Sequence, residues 1–314
     1  MQTNPKISRK GPLGIVPVVQ VPFQQNKSID WESLSRLVED SLAAGADGLL
    51  APAAASECDC LTETERADLC RFIARQVNGR VPFIVGASFP NAETCRRAAR
   101  LAEEIGAWGF LVAVPEPIYK EPEKAVPFFQ EAASGCPLPM ILQDLQWHGY
   151  GLPLDTLFQI SERVPTLAGV KIETVPAGPK YTAVRERLGN DFYICGGWAV
   201  PQMIEALDRG VDAMIPECSM VRVYKAVERH YRAGDRAGAQ RLFQRLLPIL
   251  AFSNQELNLS IAFFKRLLVR RSIFSTAILR REGFAWDSYN QRIADECIET
   301  YLELERSLPL SSID

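Results

Sequence analysis

The chain has 314 residues, 47% hydrophobic and 23% charged, with a formal net charge of -3. That is the composition of one large globular domain or two smaller ones, with no basic footprint for nucleic acid or an anionic membrane surface. The opening Met1 to Lys10 is polar and no later apolar run approaches spanning length, so neither a signal-like nor a transmembrane segment is expected, and a cytoplasmic location is. Eight cysteines, scattered singly apart from Cys58-Asp59-Cys60, suit reduced thiols. His148 and His230 stand outside any ligand-spaced cluster, so no metal and no cofactor are expected.

Short apolar runs alternate with amphipathic stretches from Leu13 to about His230, eight of each. The runs are Leu13–Val19, Ala46–Ala51, Val81–Gly86, Trp108–Val114, Leu138–Asp144, Leu167–Glu173, Phe192–Cys195 and Asp212–Glu217, read as strands. Helices are expected over Trp31–Ala43 with Ser28 or Asp30 as N-cap, and from the Thr62/Glu65 capping box. Further helices are expected over Ala92–Ile105, from about Glu123, over Leu154–Arg163 and from about Pro201. Pro115–Lys120 reads as a loop of proline and charge, and Trp147-His148-Gly149-Tyr150-Gly151 as an irregular aromatic one. The small-residue stretch Pro52–Glu57 is long for a strand-to-helix connection and lets a ligand approach the backbone closely.

Eight strand-helix units predict an α/β fold, a (β/α)₈ TIM barrel over residues 1–232, with 233–314 as a C-terminal helical extension packed on it. The extension carries apolar faces such as Leu242, Leu246, Ile249 and Leu250. An open doubly wound sheet is the competitor, but no Gly-x-Gly-x-x-Gly follows the first strand.

Reactive groups of such a barrel sit at the C-terminal strand ends. Here these supply Glu57, Tyr119, Gln143 with Asp144, Lys171 with Glu173, Gly196 with Gly197, and Glu217. Side chains alternate along a strand, so Lys171 and Glu173 share a face, opposite Val170 and Ile172. A lysine facing into an apolar strand must lose its charge, find a partner or do chemistry. A desolvated amine attacks carbonyls, whereas the same spacing equally describes a structural ion pair. Tyr119 reads as a packing residue as readily as a functional one, Glu57 as a cap or brace of its own loop, and Glu217 as the partner of an arginine.

Gly169-Val170-Lys171, Val16-Pro17-Val18-Val19-Gln20-Val21-Pro22-Phe23, Leu61-Thr62-Glu63-Thr64-Glu65-Arg66 and the order of the units resemble the dihydrodipicolinate synthase and N-acetylneuraminate lyase family. The resemblance implies that Lys171 forms a Schiff base with C2 of a 2-oxo acid, acidifying the C3 proton. It also implies a homotetramer. That family carries a tyrosine at the end of strand five and a Gly-Thr-Thr-Gly-Glu loop after strand two; this chain has Gln143 and Ala53-Ala54-Ala55-Ser56-Glu57. Together with Lys171-Ile172-Glu173, these departures are similar to the branch that includes 2-keto-3-deoxy-L-arabonate dehydratase. The resemblance implies dehydration of a 2-keto-3-deoxy sugar acid, with Lys171, Glu173 and Gln143 catalytic. Ala54, Ala55, Ser56, Glu57, Asp144, Gly196 and Gly197 would contact the substrate, its carboxylate held by backbone N–H groups and Ser56. A pyruvate-releasing aldolase, a dihydrodipicolinate synthase-like condensation and a non-catalytic carboxylate-binding barrel are the alternatives.

Overall fold

A computed structural model of the chain describes residues 11–198 and 200–309. The reading of Met1 to Lys10 lies outside the described residues. Each expected run contributes one strand: β1 Gly14–Ile15, β2 Leu49–Ala51, β3 Phe83–Gly86, β4 Gly109–Ala113, β5 Met140–Leu145, β6 Leu167–Glu173, β7 Tyr193–Gly196 and β8 Ala213–Met214. The helices are α1 Trp31–Ala43, α2 Glu63–Val77, α3 Ala92–Glu104, α4 Glu116–Lys120, α5 Ala125–Ala133, α6 Leu154–Arg163, α7 Gly178–Leu188, α8 Met203–Asp208, α9 Val221–Arg232, α10 Arg236–Ser253, α11 Leu257–Arg270 and α12 Ser288–Arg306. From β3 to β8 each strand lies beside its neighbour in the chain, as in a (β/α)₈ barrel. No helix among the described residues is long and apolar enough to cross a membrane.

The chain forms two compact units. The first is built mainly from Pro82–Gly197 and Glu205–Met214 and holds β3 to β8. Its strands pair in parallel. Parallel strands covered on both faces need apolar side chains at nearly every position, which is why they read as continuous apolar runs. Register sets Gln143 beside Lys171, and Lys171 beside Cys195. Gly169 makes that register possible: a Cβ there would lie 2.2 Å from the carbonyl oxygen of Tyr193.

The second unit comprises Gly14–Val81, Trp198–Ile204 and Ile215–Asp314. β1 is shorter than the expected Leu13–Val19, because Pro17 has no N–H for a ladder and Gly14 sits at φ +110°. Val18 still bridges in parallel to both Leu50 and Glu217, with its N–H 2.7 Å from the Pro216 oxygen and the Val19 N–H 2.9 Å from that of Leu50. Asp30 caps α1 through the Ser33 N–H at 3.1 Å. Thr62 and Glu65 close the expected capping box at 2.9 and 3.2 Å. Beyond Asp235, α10 buries Phe243, Leu246, Ile249 and Leu250, α11 buries Phe263 and Phe264, and α12 buries Ile298, Tyr301 and Leu304. Back in the first unit, one local expectation fails. Pro115–Lys120 is not a plain loop, because Pro117 falls in the first turn of α4, where its missing N–H costs nothing.

Candidate active site

At the end of β6 the two residues singled out by strand alternation meet: Lys171 Nζ lies 3.0 Å from Glu173 Oε1, with side chains only 4% and 5% exposed. Glu173 Oε2 accepts a hydrogen bond from Gln143 Nε2 at 2.5 Å, reached from the neighbouring strand. Gln143 therefore holds the carboxylate; an amide donates to it firmly but cannot exchange its proton as a phenol can. Gly197, one residue past β7, closes the group. A Cβ there would come within 2.1 Å of Glu173 Oε1 and 2.6 Å of Lys171 Cε, so only glycine leaves room for the ion pair. Gly196 stands apart, its space bounded by the Tyr181 hydroxyl and the Met214 methyl. The arrangement offers one buried amine, one carboxylate within proton-transfer distance of it, and an amide that orients the carboxylate.

Asp144, expected at the substrate, points away from this cluster. It follows Gln143 on the opposite strand face and is fully buried. Oδ2 pairs with Lys180 Nζ at 2.5 Å and Oδ1 accepts the Leu152 N–H at 3.1 Å. Lys180 spends its other two protons on the carbonyls of Tyr150 and Leu152, both at 2.7 Å. Burial pushes the Asp144 carboxyl up and the Lys180 ammonium down from their ordinary values, and their mutual attraction opposes both displacements. Tyr119 braces the same strand end, its hydroxyl donating to the Leu145 carbonyl at 3.0 Å and accepting its N–H at 2.8 Å. Lys180 is absent from the expected site, although one signal marked it. It lies in the first turn of α7, where the helix dipole disfavours a cation.

The small-residue loop belongs to the second unit. Ala54–Ser56 form a single 3₁₀ turn in which the Ser56 hydroxyl donates to the Val19 carbonyl at 2.6 Å and accepts the Ala53 N–H at 3.1 Å. Ser56 thus braces the loop instead of presenting its hydroxyl. Glu57 is likewise consumed. Its carboxylate pairs with Lys265 of α11 and accepts the N–H groups of Arg280 and Arg281 at 2.8 and 2.9 Å, both partners of the ion pair being 0% exposed. Lys265 Nζ also reaches the Ile278 carbonyl at 3.0 Å and lies 4.3 Å from the centre of the Phe23 ring. Burial pushes it down to about 8 against the pull of Glu57.

Among the described residues Glu217 makes no ion pair with an arginine, although the charge of Arg271 attracts it; Ser219 donates to it through both N–H and hydroxyl, and Tyr224 through its phenol at 3.3 Å. Complete burial pushes its carboxyl up to about 7 from 4.5. Between those two values the folded chain binds the extra proton, so stability falls as pH rises through that window. Glu217→Gln removes this dependence. The unfolding free energy of the native chain relative to the variant should drop by roughly 3 kcal/mol from pH 4.5 to 8, read from urea unfolding curves. A gap that does not change with pH contradicts the assignment.

Residues 11–280 match the Dihydrodipicolinate synthetase family. The chain is 29% identical over 252 residues to the L-2-keto-3-deoxyarabonate dehydratase of Azospirillum brasilense, covering 77% of this chain and 80% of that one. It is also 29% identical over 241 residues to a 4-hydroxy-tetrahydrodipicolinate synthase of Nitratidesulfovibrio vulgaris, covering 75% and 81%. Dihydrodipicolinate synthase from Rhodopseudomonas palustris superimposes with a TM-score of 0.85 at 22% identity, over 94% of this chain and 99% of that one. The sialic acid aldolase of Ruminococcus gnavus does so with 0.86 at 16% identity, over 95% and 99%. These two share the fold. With the family matched over most of its length, the chain belongs to the dihydrodipicolinate synthetase family and is an enzyme of its lyase class.

Proposed function

We propose that the chain dehydrates a 2-keto-3-deoxy sugar acid through an imine on Lys171. The observation that carries this reading is the buried Lys171–Glu173 pair, 3.0 Å apart and held from β5 by an amide. The amine adds to the C2 carbonyl and that oxygen leaves as water, giving the iminium. Electron withdrawal by the iminium acidifies C3, Glu173 takes the C3 proton and passes it to the C4 hydroxyl, and the C4–O bond breaks to release a second water. Hydrolysis of the imine then returns the lysine and an oxo acid one water lighter. Likeness to a named dehydratase at 29% identity supports elimination, as does Gln143 in place of a phenol.

The test is chemical. Pyruvate with borohydride should leave a reduced adduct on Lys171, located by peptide mass spectrometry. Lys171→Ala should abolish the adduct and lower turnover of a 2-keto-3-deoxy acid by about 10⁴-fold or more, ~5 kcal/mol of barrier. Failure to trap any adduct at Lys171 overturns the imine; trapping with release of pyruvate as product turns the reading from dehydration to aldol cleavage. The family also makes a homotetramer the proposed assembly, to be measured by light scattering.

A further inference from the structure

Lys180 is a second buried lysine of the first unit, nine residues past Lys171, and it has no amine to spare for chemistry. All three of its protons have acceptors: Asp144, the Tyr150 carbonyl and the Leu152 carbonyl. Asp144 in turn accepts the Leu152 N–H. The ammonium also lies 4.6 Å from the centre of the Tyr150 ring. Gly151, at φ +79°, has no room for a Cβ, which would meet Asp144 Oδ1 at 2.3 Å. The stretch from Gln146 to Leu152 is thus wrapped round one ion pair. The same stretch is fastened to the end of β6, with the Gln146 N–H on the Glu173 carbonyl at 3.2 Å and the Val175 N–H on the Gly149 carbonyl at 2.9 Å. Those bonds flank Glu173, whose carboxylate faces Lys171.

We propose that Lys180, with Asp144, is a positioning residue that sets Glu173 for proton transfer at C3 by holding the Gln146–Leu152 loop against the end of β6. The inference rests on the imine reading and adds a role for a residue that touches no reacting atom. Without the ammonium, two loop carbonyls and the Asp144 carboxylate lose their shared donor. The backbone on either side of Glu173 then loses its support, and a displacement of about 1 Å at a reacting group costs on the order of 10²-fold in rate. Attack by Lys171 on a ketone requires no such placement of Glu173.

Pyruvate alone serves as probe for both steps. Borohydride trapping reports imine formation, and exchange of the C3 hydrogens in D₂O, followed by NMR, reports proton abstraction. Lys180→Met should slow C3 exchange by about 10²-fold while the trapping rate changes less than about threefold. Asp144→Asn, which keeps size and one acceptor oxygen, should give a smaller loss of the same kind; it takes the place of Lys180→Met should that variant not fold. A folded variant in which both rates fall together, or in which exchange is untouched, overturns the inference. Absence of any adduct in the native chain instead defeats the imine reading itself, so the two failures are distinguishable.

Discussion

Glu173→Gln should retain a borohydride-trappable adduct on Lys171 yet slow exchange of the pyruvate C3 hydrogens by about 10³-fold, within the range expected for removing a general base. The substitution keeps the side chain's size and its place between Lys171 and Gln143, so what disappears is the capacity to accept a proton. Imine formation persists because the attacking amine and the carbonyl are both still present. A 2-keto-3-deoxy acid offered to this variant should accumulate as the imine, visible as a rise in trapped protein over free product. Exchange at the native rate would remove Glu173 from the proton-transfer step. Gln143→Ala tests the same arrangement more gently, because it frees the carboxylate to turn without deleting it.

Glu57→Ala should cost about 3–5 kcal/mol of unfolding free energy, the usual penalty for stripping one partner from a buried ion pair. The loss has several sources at one point. The Lys265 ammonium is left with the Ile278 carbonyl and the face of Phe23, while the N–H groups of Arg280 and Arg281 lose their acceptor. The double replacement Glu57→Ala with Lys265→Met removes both charges and should recover more than half of the deficit, because neutral side chains have no desolvation cost to offset. Urea unfolding at pH 7 measures both. A single-variant loss under about 1 kcal/mol, the scale of an exposed pair, would contradict a buried, energetically coupled contact.

Much of the fold was legible in the sequence because each parallel strand is buried on both faces and reads as an apolar run. Lys171 and Glu173 were legible for a related reason: two ionisable groups two apart on such a run must share a face. Gln143 needed only the register of the adjacent strand. Other roles were hidden by distance. Lys180 and Asp144 are 36 residues apart and Lys265 and Glu57 are 208 apart, so nothing local announces either pair. Asp144 and Glu57 both stand at strand ends, and position there says which residues are near a site, not which way each side chain turns. The same holds for Ser56, whose hydroxyl finds backbone partners within its own unit. Gly197 follows a strand end as the local pattern requires, but that it stands where a side chain would displace the ion pair is set by the packing of β6 against β7, which no local pattern announces.

The double bridging of Val18 has a consequence for biosynthesis. The Leu50 oxygen that accepts the Val19 N–H emerges soon after it, but the Pro216 oxygen that accepts the Val18 N–H is made 198 positions later. At ribosomal elongation of about 5–20 residues per second, the nascent segment waits roughly 10–40 s with one edge unpaired. Throughout that interval it is a template for another chain's strand, so a chaperone engaging early should raise the yield of the folded enzyme.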